Sequence, residues 1–176
     1  MITGAVAIEQ WDLIEPFEIA RGVITAIQLV TLTLTDSAGH VGRAEAAGVD
    51  YDGETPHMLQ AQIESVLPLV MAAAPGAIVN DATLQAVQEL LPAGGARNAI
   101  DCALWDLRAK QSGIPAWQYA ALPPLRPLTT VFTLGLGTES DTRRKARAAR
   151  HFPLIKIKCD ADRHVDAVES GERVEA

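Results

Sequence analysis

Cysteine is scarce in this chain: its 176 residues carry two, Cys102 and Cys159, with no C-x-x-C spacing. That excludes a disulfide-stapled secreted scaffold and predicts thiols in a reducing compartment, by default cytoplasmic. Positive charge is also short. Fifteen Lys and Arg stand against 22 Asp and Glu, and the net charge of −7 repels a phosphate backbone. One cationic cluster exists, Arg143, Arg144, Lys145, Arg147 and Arg150. It wraps around a helix with no aromatic residue interleaved, so no nucleic-acid partner is expected. Long apolar runs are missing too. The longest, residues 66–74, is interrupted by Pro68 and falls far short of a bilayer span. The first eleven residues put no basic residue ahead of their apolar part and include Glu9, so they do not read as a secretory signal. No membrane partner is expected.

What is present is globular. Apolar residues make up 48% and charged ones 21%, with 13 Gly and 10 Pro scattered along the chain, a composition that fits neither disorder nor a fibre. The length suits one domain and a piece of a second.

Residues 5–13 are apolar-rich, and 24–35 alternate, with Val30, Leu32 and Leu34 on one face and Thr31, Thr33 and Thr35 on the other. That is a strand period. Asp36-Ser37-Ala38-Gly39 reads as a turn into a partner strand over 40–46. Between the first two strands, residues 15–22 read as a loop, with Pro16 and Gly22 around Arg21. A polar loop over 49–53 precedes helices over 54–71 and 81–91, the second capped by Asp81 and stopped by Pro92. A third helix has Ile100, Ala103, Leu104 and Leu107 as its core stripe, an Asp106–Lys110 pair, and Gly113 as its stop. A short fourth helix, 116–121, ends at Pro123-Pro124, the best domain boundary in the chain.

Beyond it come a strand over 129–136, a helix over 138–151 with Thr138 as N-cap, and a strand over 154–159. This alternation predicts a parallel βαβ unit. The 52 residues after Pro124 suffice for two βα units, whereas a closed barrel of eight needs about 250. The expected architecture is an α+β domain over 1–122, an antiparallel sheet followed by helices, and over 123–176 the incomplete start of a (β/α) barrel. Residues 162–176 begin as an amphipathic helix and then lose their apolar positions, which predicts a truncated or frame-shifted end.

The chemistry-bearing stretch is Leu154-Ile155-Lys156-Ile157-Lys158-Cys159. In a strand Ile155 and Ile157 share one face and the two lysines the other, roughly 7 Å apart. Parallel strands are usually covered on both faces and read as continuous apolar runs, so two lysines break the local rule. At an effective dielectric near 20 the two ammonium groups repel by ~2.4 kcal/mol, and desolvation acts the same way. One of the pair would then shed its proton and serve as base, while the other holds a carboxylate or nascent anion. The alternative is an edge strand that shows both lysines to water as a guard against aggregation.

Other residues carry less. His40, His57, His151 and His164 lack ligand spacing and read as surface or packing residues. Gly135-Leu136-Gly137 is half of a dinucleotide fingerprint without its third glycine, and reads as a turn. Cys159, with no paired His, reads as a packing thiol. Arg21 on spacing alone is a solvated charge.

Several segments in order resemble the enolase superfamily, its muconate-lactonizing branch and the dipeptide (L-Ala-D/L-Glu) epimerases within it. They are Pro16-Phe17-Glu18-Ile19-Ala20-Arg21-Gly22, Gly42-Arg43-Ala44-Glu45-Ala46, Gly53-Glu54-Thr55, the run from Ala96-Arg97-Asn98 through Trp105-Asp106-Leu107, Thr130-Val131-Phe132-Thr133-Leu134 and Lys156-Ile157-Lys158. The resemblance fades near Val168. It implies a capping domain ahead of a modified TIM barrel, with the active site between the barrel's C-terminal end and the cap loops. It implies Lys158 as the general base at the substrate α-carbon, with Lys156 assisting electrostatically. Thr133 and Arg21 would lie near the substrate's polar groups, and the Tyr51 loop would close over its side chain. It further implies Mg²⁺, whose carboxylate ligands, with a second acid-base lysine, come from later strands, and a dipeptide or N-acyl amino acid substrate. Asp160 and Asp162 follow the lysines too closely to be those ligands. Relatives tend to carry an aromatic and a basic residue before Gly-Glu-Thr. This chain has Tyr51-Asp52, which leaves the substrate side chain open.

The expected function is that of the N-terminal portion of a metal-dependent isomerase, inactive by itself. Rival readings are a muconate cycloisomerase or o-succinylbenzoate synthase, which share the lysine pair, and a non-catalytic fragment that dimerises through its sheet as a homo-oligomer.

Overall fold

The computed structural model of the chain describes residues 1–159. The helix expected over 162–176, and with it His164, Asp160 and Asp162, lies outside them. Two compact units divide the chain. One comprises Met1–Trp11 and Ile27–Leu125, the other Asp12–Ala26 and, among the described residues, 126–159.

In the first unit the strands run in the order β1 (Thr3–Ile19), β2 (Gly22–Thr35), β3 (Val41–Ala46), with β2 and β3 antiparallel and Val30 opposite Ala46 through Thr35 opposite Val41. The alternation read from the sequence is realised: Val30, Leu32 and Leu34 are buried while Thr31, Thr33 and Thr35 are half-buried. Their buried face meets three helices, α1 (Pro56–Ala72), α2 (Asp81–Leu90) and α3 (Gly95–Ser112). Leu59, Ile63 and Val70 of α1, Val87 of α2 and Ile100, Leu104 and Leu107 of α3 close the core. Each such side chain contributes about 1.5–3 kcal/mol by leaving water. Helix α3 lies directly on β3, and a Cβ on Gly42 would run into the Ala103 carbonyl oxygen. The Asp106–Lys110 pair forms at 2.7 Å, and Gly113 ends α3 with φ 69°, a left-handed conformation that favours glycine.

Two sequence expectations are corrected here. Asn80, not Asp81, caps α2: its side chain accepts from the Thr83 N–H at 3.1 Å, and the Thr83 hydroxyl accepts from the Asn80 N–H. Asp81 instead pairs with Arg108 at 2.7 Å. Residues 15–19 are strand rather than loop. Glu18 points its backbone carbonyl away from β2, to the Leu136 N–H at 2.8 Å, so Pro16, two residues earlier, has its missing N–H on that same side. Proline is tolerated there because the β2 ladder does not need that donor.

A short helix α4 (Ala116–Tyr119) ends the first unit's regular elements. The second unit holds the tip of the β1–β2 hairpin, a parallel pair β4 (Phe132–Leu134) and β5 (Ile155–Ile157), and between them α5 (Glu139–Ala148). Thr138 caps α5 by accepting from the Asp141 N–H at 3.2 Å. Both strands are shorter than the sequence pattern suggests. No helix among the described residues is long and apolar enough to cross a membrane.

Candidate functional site

The parallel pair places its residues in a definite register: Phe132 with Ile155, Thr133 with Lys156, Leu134 with Ile157. The Lys158 N–H donates to the Leu134 carbonyl at 3.0 Å, the last rung of the ladder. Phe132 stacks on Phe152, ring centroids 4.4 Å apart, and Leu134 is buried, so alternation turns Thr133 and Lys156 to the opposite face. Lys156 is exposed and Lys158 half-buried. The sheet therefore sets Thr133 and Lys156 side by side on one face, with Lys158 just past the end of β5.

In the same unit, the hairpin tip carries Arg21 in an exposed turn, three residues past Glu18. The Glu18 carbonyl is bonded to the Leu136 N–H, just beyond the C-terminal end of β4. Gly135 lies close against this backbone, since a Cβ there would sit 3.0 Å from the Glu18 carbonyl oxygen. The turn reading of Gly135-Leu136-Gly137 thus acquires a reason, the close approach of two chains. A cleft of about 440 Å³ opens beside it, lined by Pro16, Phe17, Phe132, Arg144, Lys145 and Phe152.

Tyr51 belongs to the first unit. It is exposed, on the 3-10 turn Asp50–Asp52, within a segment held by its own backbone. The N–H groups of Asp52 and Glu54 both donate to the Val49 carbonyl, at 2.9 and 3.2 Å. The segment is also fastened by a residue the sequence reading did not single out. The Glu54 carboxylate accepts from the Gly95 N–H through Oε1 at 3.0 Å and from the Val49 N–H through Oε2 at 3.3 Å. Gly94, the α3 N-cap, has no side chain to offer the helix, so this carboxylate supplies the acceptor and the negative charge that a helix N-terminus favours. A signal existed in the sequence: a long helix beginning Gly94-Gly95, with neither a capping side chain nor an acid in its first turn. Beside Glu54 a cavity of about 700 Å³ is lined by Leu29, Glu45, Asp52, Gly94 and Asn98.

His40 bonds Asp36 at 2.9 Å, and His151 packs on Phe152. Both cysteines are free, and Cys159 is exposed, which corrects its reading as a packing thiol. Cys102 is exposed as well; partial desolvation, reinforced by the neighbouring Asp101, pushes its thiol up. Among the described residues no three His, Cys, Asp or Glu side chains converge where a metal ion could be held. These residues do not fit a Mg²⁺ site.

Residues 1–119 match the model of the mandelate racemase / muconate lactonizing enzyme, N-terminal domain. The L-Ala-D/L-Glu epimerase of Escherichia coli (strain K12) is 32% identical over 162 residues, 91% of this chain and 48% of the relative. An enolase family member from Agrobacterium tumefaciens, with homology to dipeptide epimerases and solved with sodium and L-Ala-L-Glu, superposes with a TM-score of 0.79. It is 32% identical, and the match covers 90% of this chain and 46% of that one. A dipeptide epimerase from Enterococcus faecalis V583, complexed with Mg and L-Leu-L-Tyr, is 25% identical with a TM-score of 0.71, covering 89% of this chain and 44% of that one. The chain spans about half the length of the relatives it matches.

Proposed function

The chain belongs to the mandelate racemase / muconate lactonizing enzyme family, and from that premise we propose that it supplies the capping domain and first barrel strands of an isomerase that inverts the α-carbon of an N-acylated amino acid, a dipeptide being the leading case. The domain division proposed with it is a capping domain over 1–122 and a barrel start over 123–176. Lys158 is the general base, Lys156 its electrostatic support, and Thr133 and Arg21 engage the substrate's polar groups while the Tyr51 loop covers its side chain.

One observation carries this reading. Lys156 lies in β5 on the same face as Thr133 of the neighbouring strand, and Lys158 follows one residue past the strand's end, its N–H bonded to Leu134. An α-proton beside a carboxylate is very weakly acidic, so its removal needs a positioned base and nearby positive charge to hold the anion that forms. In this reading an amine at Lys158 takes the proton, the Lys156 ammonium steadies the anion, and the Thr133 hydroxyl donates to a carboxylate or amide oxygen. Mg²⁺ is the cofactor proposed for a protein of full family length, by analogy with the Enterococcus relative. The described residues do not form its site.

The test incubates L-Ala-L-Glu and a panel of dipeptides and N-acyl amino acids in D₂O with Mg²⁺. It uses the 176-residue chain and, in parallel, that chain extended by whatever its gene encodes beyond Ala176. The expected result is deuterium at the substrate α-carbon with the longer protein and none with the 176 residues alone. No incorporation by either protein across the panel overturns the reading. Lactone formation from a muconate would replace it with a cycloisomerase.

A further inference from the structure

We infer that Glu54 is a positioning residue: its carboxylate, seated on the N-terminus of α3, holds the Val49–Gly53 segment in the conformation that presents Tyr51. The geometry is that of a two-ended clamp. Oε1 accepts from Gly95, the first residue of α3, and Oε2 from Val49, the first residue of the segment. The Val49 carbonyl in turn accepts from the Asp52 and Glu54 N–H groups. One side chain therefore links the helix to both ends of the turn that carries Tyr51.

The surrounding glycines fit the clamp. A Cβ on Gly94 would stand 2.7 Å from Glu54 Oε1, and one on Gly48 would collide with the Glu54 carbonyl oxygen. Gly94 has φ 158°, at the limit of what other residues adopt, and Gly53 has φ 74°, which other residues adopt at a cost. Helix α3 is a rigid base for this: Ala99, Ile100, Ala103 and Leu107 are fully buried, and α3 rests on β3, the strand that feeds the segment. A turn fastened to such a helix keeps its shape. Released, it would sample the open conformations of an exposed loop. The consequence for substrate selection rests on the reading of Tyr51 given above, whereas the clamp itself does not.

The experiment compares the unaltered 176-residue chain with Glu54→Ala and Glu54→Gln. Residue-resolved amide exchange is measured together with fluorine NMR of protein labelled with 3-fluorotyrosine. The chain has two tyrosines, Tyr51 and Tyr119, and Tyr119→Phe assigns the signals. In Glu54→Ala, exchange at Val49 and Gly95 rises ~10-fold or more, the loss expected for a charge-assisted hydrogen bond. The Tyr51 resonance shifts while that of Tyr119 and the exchange of Leu104 and Leu107 stay as they were. Glu54→Gln, of the same shape, keeps one acceptor and turns an N–H toward the other amide, so one of the two amides opens. Should the Tyr51 resonance stay in place although both amides open, Glu54 would be a helix cap and nothing more. Unchanged amides, or a parallel rise in exchange at Leu104 and Leu107, would equally overturn the inference. Neither readout needs substrate or turnover, so a failed deuterium experiment and a failed clamp are separate results.

Discussion

Thr133 and Lys156 are register partners across β4 and β5, on the face opposite Leu134 and Ile157. In an extended protein that exchanges the substrate α-proton, Lys158→Ala should lower kcat by roughly 10²–10⁴, the range for loss of a general base. Thr133→Val keeps the shape and removes only the hydroxyl. It should raise KM roughly tenfold with a smaller effect on kcat, since a hydrogen bond present in both ground and transition states is lost. Steady-state kinetics with the α-deuterated dipeptide checks both, and a Lys158→Ala variant with full exchange would remove the base assignment.

The alternation of β5 was legible because Lys156 interrupts an apolar run, although its exposure agrees with the solvent-facing alternative and not with a desolvated pair. The β2 face was legible because Val30, Leu32 and Leu34 alternate with threonines. What was not legible depends on neighbours. Pro16 reads as a loop until its missing N–H proves to lie on the side away from β2. Asp81 and Asn80 are equally good caps by residue type, and only the reciprocal bond with Thr83 chooses Asn80. Glu54 and Gly95 are far apart in sequence and meet only in the fold.

The Asn80 cap gives a direct test of that choice. Asn80→Ala removes the acceptor for the Thr83 N–H and should lower unfolding free energy by about 1 kcal/mol. Asp81→Ala removes a pair in which the carboxylate is 91% exposed and a first-turn acid, but no capping bond, and should cost less. Urea midpoints of the two variants decide. The reverse order would restore Asp81 as the cap.

Gly42 tests the packing of α3 on β3. A Cβ at this position would meet the Ala103 carbonyl oxygen and lie 2.6 Å from Leu107 Cβ. Both partners are buried helix atoms that cannot move aside singly. Gly42→Ala should therefore destabilise by about 1–3 kcal/mol through overpacking, although alanine suits a strand better than glycine. A neutral or stabilising result in a denaturant titration would show that α3 can shift on the sheet at little cost.

Asp36 links the β2–β3 turn to the C-terminal part of α3, and its titration makes that link sensitive to acid. The Gln111 side-chain N–H, donating to Oδ2 at 2.9 Å, is the chief reason its carboxyl is held well below the usual carboxylate range. The His40 ring and the N–H groups of His40 and Ala38 act the same way, while burial opposes them. A carboxyl whose folded pKa is depressed contributes stability above its unfolded value, about 4, and loses it as pH falls toward the folded value. The melting temperature of the unaltered chain should therefore drop between about pH 5 and pH 2. Asp36→Asn cannot ionise and turns an amide toward Gln111. It should melt lower at pH 7, and its deficit should shrink as the pH falls through that window. Circular dichroism melts at unit pH steps measure the difference, and a deficit that stays constant from pH 7 to pH 3 would show that the ionisation of Asp36 is not what fastens the turn to the helix.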